Sequence, residues 1–99
     1  MAGKGIIWSI RANSELKESL NFYNNRNGSV TYSLKLLSEI ESLLNTLSRS
    51  EFIGRLTANK TTRVVVMKRY LIFYEINNEK IEILSFWDNR QDGRGRIKI

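Results

Sequence analysis

Ninety-nine residues, 41% apolar and 26% charged, are enough for one folded domain and do not fit a disordered chain. Cysteine and histidine are both absent, which excludes disulfides, thiolate or imidazole metal sites and every histidine-based triad. The net charge of +6 is uneven, with nine Lys/Arg against five acids in residues 60–99, and points to a polyanionic partner, either nucleic acid or an acidic polypeptide.

In chain order, GIIWSI at residues 5–10 is rich in β-branched and aromatic types and predicts a first strand. Asn13 or Ser14 then offers a side-chain cap for a helix, with Glu15 and Glu18 near its positive end. Leu16, Leu20 and Tyr23 make one apolar stripe, and Asn24, Asn25, Asn27 and Gly28 end the helix, since Asn and Gly tolerate positive φ. Ser29 reads as the cap of a longer second helix. Its stripe is Tyr32, Leu36, Ile40, Leu43 and Leu47, widened by Leu37 and Leu44, while Ser33, Lys35, Ser38, Glu39, Glu41 and Ser42 fill the polar face. A three- or four-residue turn makes these two helices an antiparallel hairpin that needs a sheet to cover its stripe.

An irregular stretch around Phe52–Lys60 leads to TRVVVMK (62–68), YLIFYEI (70–76) and IEILSFW (81–87), which read as three strands. NNEK at 77–80 supplies the second hairpin turn, and a tighter connection at Arg69 supplies the first. The expected fold is α+β: an N-terminal strand, an antiparallel helical hairpin, then a three-stranded antiparallel meander, in the order β-α-α-β-β-β. One domain over residues 1–92 precedes a basic tail, GRGRIKI at 93–99. The tail reads either as frayed or as a short edge strand through Ile97 and Ile99. Residues 1–10 hold too short an apolar run for a secretory signal, and no stretch approaches the ~18 apolar residues of a membrane helix. A soluble cytoplasmic protein without a membrane partner is expected.

These elements resemble the RelE/ParE superfamily of bacterial toxins over nearly the whole chain. IIWSIRA, the Ser29–Leu47 helix and TRVVVMKRYLIFYEINNEKIEILSFWDNRQD carry the resemblance. It implies the toxin of a two-gene type II toxin–antitoxin pair, silenced by a cognate antitoxin. RelE-like members cleave mRNA on the ribosome, whereas ParE-like members bind DNA gyrase without catalysis. The basic positions of the nuclease branch fall on Arg63, Val65, Leu71 and Gln91, of which only Arg63 is a cation, although Arg90 adjoins Gln91. The family's proline after the second helix is missing, and Gly93 stands where another proline commonly follows the closing segment.

Losing a charge-stabilising donor costs about 10²–10³ in rate, so the incomplete cation set favours inhibition by binding a gyrase-type target. The alternatives are a metal-independent, ribosome-dependent mRNA endonuclease and a non-toxic partner-binding or DNA-regulatory module. As catalytic candidates the reading gives Arg63 and Arg90. Target or RNA contacts fall to Lys68, Arg69, Tyr70, Asp88, Asn89, Arg94 and Arg96, with Tyr70 stacking on a base. Asp88 or Asp92 would orient Arg90 through a bidentate pair, and Trp87 is expected to pack on the helical hairpin. No metal or other cofactor is expected, and operator-DNA binding by the toxin–antitoxin complex is left open.

Overall fold

β1 (Gly5–Trp8) leads into α1 (Ile10–Asn27) and α2 (Thr31–Arg49). β2 (Arg55–Leu56), β3 (Thr62–Met67), β4 (Tyr70–Ile76) and β5 (Lys80–Asp88) follow. The structure, a computed structural model, describes residues 3–89. Arg90, Arg94, Arg96 and the tail at 93–99 therefore lie outside the described residues. The five strands form one sheet in the order β1-β5-β4-β3-β2. β1 runs parallel to β5, and the remaining pairs are antiparallel. The expected order holds with one addition: the stretch read as irregular contains β2, whose two residues pair with Val64 and Arg63.

Helix boundaries depart from expectation at both N-termini. α1 starts before Asn13 because Ser9 caps it, the Ser9 Oγ accepting from Ala12 N at 3.0 Å. Ser9 also closes the strand, its own N–H donating to the Ile83 carbonyl at 2.9 Å, so one residue ends β1 and begins α1. Gly28 ends α1 at φ 67°, a left-handed cap that glycine adopts without penalty. α2 begins at Thr31 after Val30, with Ser29 Oγ accepting only a long 3.4 Å bond from Thr31 N.

The helical hairpin lies on one face of the sheet. Ala12, Tyr23, Leu36, Ile40 and Leu47 meet Tyr70, Ile72, Tyr74, Ile81, Ile83 and Phe86 there. Each large apolar side chain so buried contributes about 1.5–3 kcal/mol. Ser33, read as solvent-facing, is buried between the helices instead. Its Oγ has the Leu20 carbonyl at 3.3 Å and Asn24 Oδ1 at 2.5 Å, which satisfies a hydroxyl that burial would otherwise penalise.

A second, smaller cluster occupies the opposite face: Val64, Leu71, Phe73 and Trp87, with Leu84 against it. Trp87 therefore does not pack on the helical hairpin. The cause is a β-bulge. Phe73 pairs with Ser85 but Tyr74 pairs with Ile83, which leaves Leu84 as an extra residue in β5. One extra residue reverses the in/out alternation, so Phe86 faces the helices and Trp87 faces away. α1 holds the bulge: Ser9 Oγ donates to the Leu84 carbonyl at 3.1 Å, and Glu15 Oε1 accepts from Phe86 N at 3.1 Å and Ser85 Oγ at 2.7 Å. Glu15 is thus a bulge clamp and not a first-turn charge. Because both sheet faces carry clusters, Phe73 and Tyr74 are both fully buried.

Candidate functional site

The β3–β4 connection places most of the anticipated contact residues together. Met67 pairs with Tyr70, so Lys68 and Arg69 form a two-residue hairpin loop, and Lys68 takes a left-handed φ of 57°. A lysine there is strained where Gly or Asn would not be. The Lys68 ammonium reaches Glu39 Oε2 of α2 at 2.6 Å. Arg69 is exposed, donates from Nη1 to Tyr23 Oη at 3.0 Å and lies 6.0 Å from that ring's centroid. The Tyr23 phenol raises the Arg69 pKa, so its charge is permanent.

Tyr70 corrects an expectation. It is 0% exposed, its ring stacks on Phe86 at 4.8 Å, and its hydroxyl lies 3.1 Å from the Tyr32 hydroxyl. No face of this ring is available to a base. Burial, followed by the hydrogen bonds with Tyr32 and Tyr23, pushes its pKa well up, so the phenol stays neutral. Asp88 pairs with Tyr70 across the strands and is 1% exposed. Asn89 N donates to the Arg69 carbonyl at 3.0 Å, which ties the end of β5 to the loop. The expected pairing of Asp88 or Asp92 with Arg90 falls outside the described residues.

Arg63 sits elsewhere. It and Lys68 are five residues apart on an extended chain, ~16 Å at ~3.3 Å per residue, so they stand at opposite ends of β3. Arg63 is therefore not brought together with Lys68 and Arg69. Arg63 Nη1 donates to the Gly54 carbonyl at 2.7 Å, and its guanidinium lies 5.0 Å from the Phe52 ring centroid. Beneath it Tyr74 Oη accepts from Gly54 N and donates to the Glu51 carbonyl, both at 2.8 Å. Burial raises the Tyr74 pKa against the opposing Gly54 hydrogen bond and Arg63 charge. Val65 packs against the helix-side cluster and Leu71 lies in the second cluster, so neither position presents polar chemistry.

Sequence reading missed a groove of about 660 Å³ between the start of α1 and the middle of α2. Trp8, Ile10, Leu16, Leu37, Ile40 and Leu44 supply its apolar wall. Ile10, assigned to a strand, is the first residue of α1 and 88% exposed. The available signal was the breadth of the α2 stripe: Leu37 and Leu44 exceed what one sheet face covers. Among the described residues no group of three or more acids is placed to hold a metal ion. None of their helices is long and apolar enough to cross a membrane.

A five-stranded sheet backed by a helical hairpin, with cations at both ends of β3, defines a small basic α+β protein. The family model for the ParE toxin of type II toxin–antitoxin system, parDE, matches residues 6–93, and the chain belongs to this family. A solved structure described as the chromosomal ParDE TA system from P. aeruginosa shares the fold, with a TM-score of 0.74 at 17% identity. That likeness covers 86% of this chain and 95% of the other. Among curated proteins no sequence matches significantly. Membership makes this a toxin of a type II toxin–antitoxin module and implies a cognate antitoxin as partner.

Proposed function

We propose that the protein arrests growth by binding an essential target of the DNA gyrase type, without catalysis of its own, and that its antitoxin neutralises it by direct contact. The observation carrying this reading is the state of the positions where the RelE-like resemblance calls for cations. Val65 and Leu71 are apolar and packed into the two clusters. Arg63, the one cation among the described positions of that set, is held by the Gly54 carbonyl and the Phe52 ring at the far end of β3 from Lys68 and Arg69. Cleaving RNA without histidine needs several cations and a proton acceptor converging on one phosphate. Here the described candidate cations, Arg63 against Lys68 and Arg69, are divided between the two ends of β3.

On this reading Lys68 and Arg69 contact the target, since both project from the hairpin loop and keep donors facing solvent. The α1–α2 groove suits an amphipathic antitoxin segment, because its walls are apolar and Ile10 and Leu37 remain accessible. The test is a supercoiling assay with purified gyrase and this protein. Inhibition that Lys68→Ala/Arg69→Ala relieves is the expected result. Ribosome-dependent fragmentation of mRNA in a purified translation system, with gyrase unaffected, would overturn the proposal.

A further inference from the structure

The sheet face turned away from the helices is covered more fully than the described residues explain. Val64, Leu71, Phe73 and Trp87 on that face are at most 7% exposed, yet α1 and α2 both pack on the opposite face and every strand lies in the sheet itself. The α2–β2 connection belongs to the helix side, where Gly54 N donates to Tyr74 Oη. One layer of strands leaves its outward side chains open to solvent, so Phe73, at 0% exposed, needs a second layer above it. That layer is narrow, since Val66, which pairs with Leu71 and shares its face, is 60% exposed. It must also be polar at one point, because the indole N–H of Trp87 is buried and has no acceptor among the described residues.

The occupant follows from elimination and from pattern. The burial arises within a single chain, so neither a second copy nor a partner is required for it. Residues 1–2 begin on the helix side, because Lys4 N donates to the Ser48 carbonyl of α2 at 3.1 Å. What remains is the stretch after Asn89. Its last seven residues, GRGRIKI, alternate: Gly93, Gly95, Ile97 and Ile99 fall on one side of an extended chain, and Arg94, Arg96 and Lys98 on the other. The ten residues 90–99 can reach ~33 Å, whereas the cluster crosses three strands, ~10 Å at ~4.8 Å per strand. We infer that residues 93–99 lie extended over the Val64–Leu71–Phe73–Trp87 cluster of their own chain. Ile97 and Ile99 cover its apolar side chains. The glycines, having no side chain, let a main-chain carbonyl come close enough to Trp87 to accept its N–H. Arg94, Arg96 and Lys98 then stand in one outward row, ~6.6 Å apart. This holds whatever the toxin's target is.

The test follows Trp87 fluorescence in the full chain, with Trp8→Phe making it the sole indole. Removing residues 93–99, or Ile97→Ser/Ile99→Ser, should shift its emission to the red, raise its quenching by acrylamide and speed deuterium exchange at its indole N–H. Arg94→Gln/Arg96→Gln/Lys98→Gln should leave all three readings as in the full chain, because those side chains point outward. Circular dichroism checks the fold. If the shortened chain unfolds, the Ile97→Ser/Ile99→Ser chain, which keeps the tail's length and backbone, decides. Three results would each overturn the inference. These are unchanged emission and exchange in Ile97→Ser/Ile99→Ser, equal effects from the isoleucine and the cation replacements, and full-chain emission that moves to the blue as protein concentration rises, which would make a second copy the cover.

Discussion

Tyr74 pins the α2–β3 connection to the sheet, and removing one oxygen atom tests how much of the loop depends on it. Tyr74→Phe keeps the buried ring but deletes the acceptor for Gly54 N and the donor to the Glu51 carbonyl, each at 2.8 Å. Each bond contributes about 0.5–1.5 kcal/mol net, and the stranded amide of buried Gly54 adds about 1–3 kcal/mol. The expected loss is about 2–6 kcal/mol. For a domain near 100 residues each kcal/mol corresponds to roughly 4–8 °C, so the midpoint should fall by at least ~10 °C. Urea denaturation should show a lower midpoint concentration with an unchanged slope. Gly54→Ala attacks the same contact from the other side. A Cβ there would lie 2.5 Å from Tyr74 Oη and 2.7 Å from Cε1, so the ring must withdraw, at about 1–3 kcal/mol. In a Tyr74→Phe background the nearest clash is gone, and Gly54→Ala should cost measurably less. A Tyr74→Phe protein within ~0.5 kcal/mol of wild type, or strict additivity of the two changes, would refute the pin.

Ser9→Ala removes both the α1 cap and the donor to the Leu84 carbonyl, so its cost in denaturation should reach about 1–2 kcal/mol, above a simple peptide-level cap. Stability should fall above about pH 10. The unfolded chain's tyrosines ionise there, whereas Tyr70 and Tyr74, whose pKa values are raised by burial, stay protonated in the fold. Their contribution is complete below that pH and is lost as pH rises, and Tyr70→Phe should flatten the decline in thermal midpoint. Lys68→Gly relieves a positive φ at the expense of one exposed ion pair, so stability should rise by up to ~1 kcal/mol, while Lys68→Val lowers it. Arg63→Ala and Lys68→Ala should have additive effects on target affinity within ~0.5 kcal/mol, and a larger coupling would show that the two cations share one site.

The helices and four of the strands were legible because their apolar or β-branched residues recur over several positions, and the NNEK turn because Asn accepts a turn conformation. β2 was not, since two residues carry no period. The orientation of Trp87 was also beyond reach. Strict alternation from Ile81 and Ile83 puts Trp87 on the helix face, and the bulge at Leu84 leaves no local mark in ILSFW. What stabilises the bulge comes from Ser9 and Glu15, more than 65 residues away in the chain. Tyr70 failed for a related reason. Next to Lys68 and Arg69 it looks like part of an exposed loop, yet it is the first residue of β4 and faces Phe86. The cluster at the hairpin loop was found because consecutive residues must be neighbours. The contact of Leu56 with Arg63 was not, because it depends on β2 pairing with β3.

That pairing also decides what kind of surface the cations make. A tight antiparallel hairpin separates residues at the start of one strand from those at its end by the full strand length. Arg63 is thereby sent to the β2 end, and Lys68 and Arg69 to the loop end, with Val65 and Leu71 packed between them. Stabilising a transferring phosphate needs donors about 3 Å from one oxygen, which two groups ~16 Å apart along β3 do not provide by convergence. Cations spaced this way suit a broad partner that touches both ends of the sheet at once. Each contact would then add affinity through its own pocket of order, Tyr23 and Glu39 holding the loop cations and Gly54 and Phe52 holding Arg63. The two anchoring networks share no residue. A partner can therefore be weakened at one end without disturbing the other.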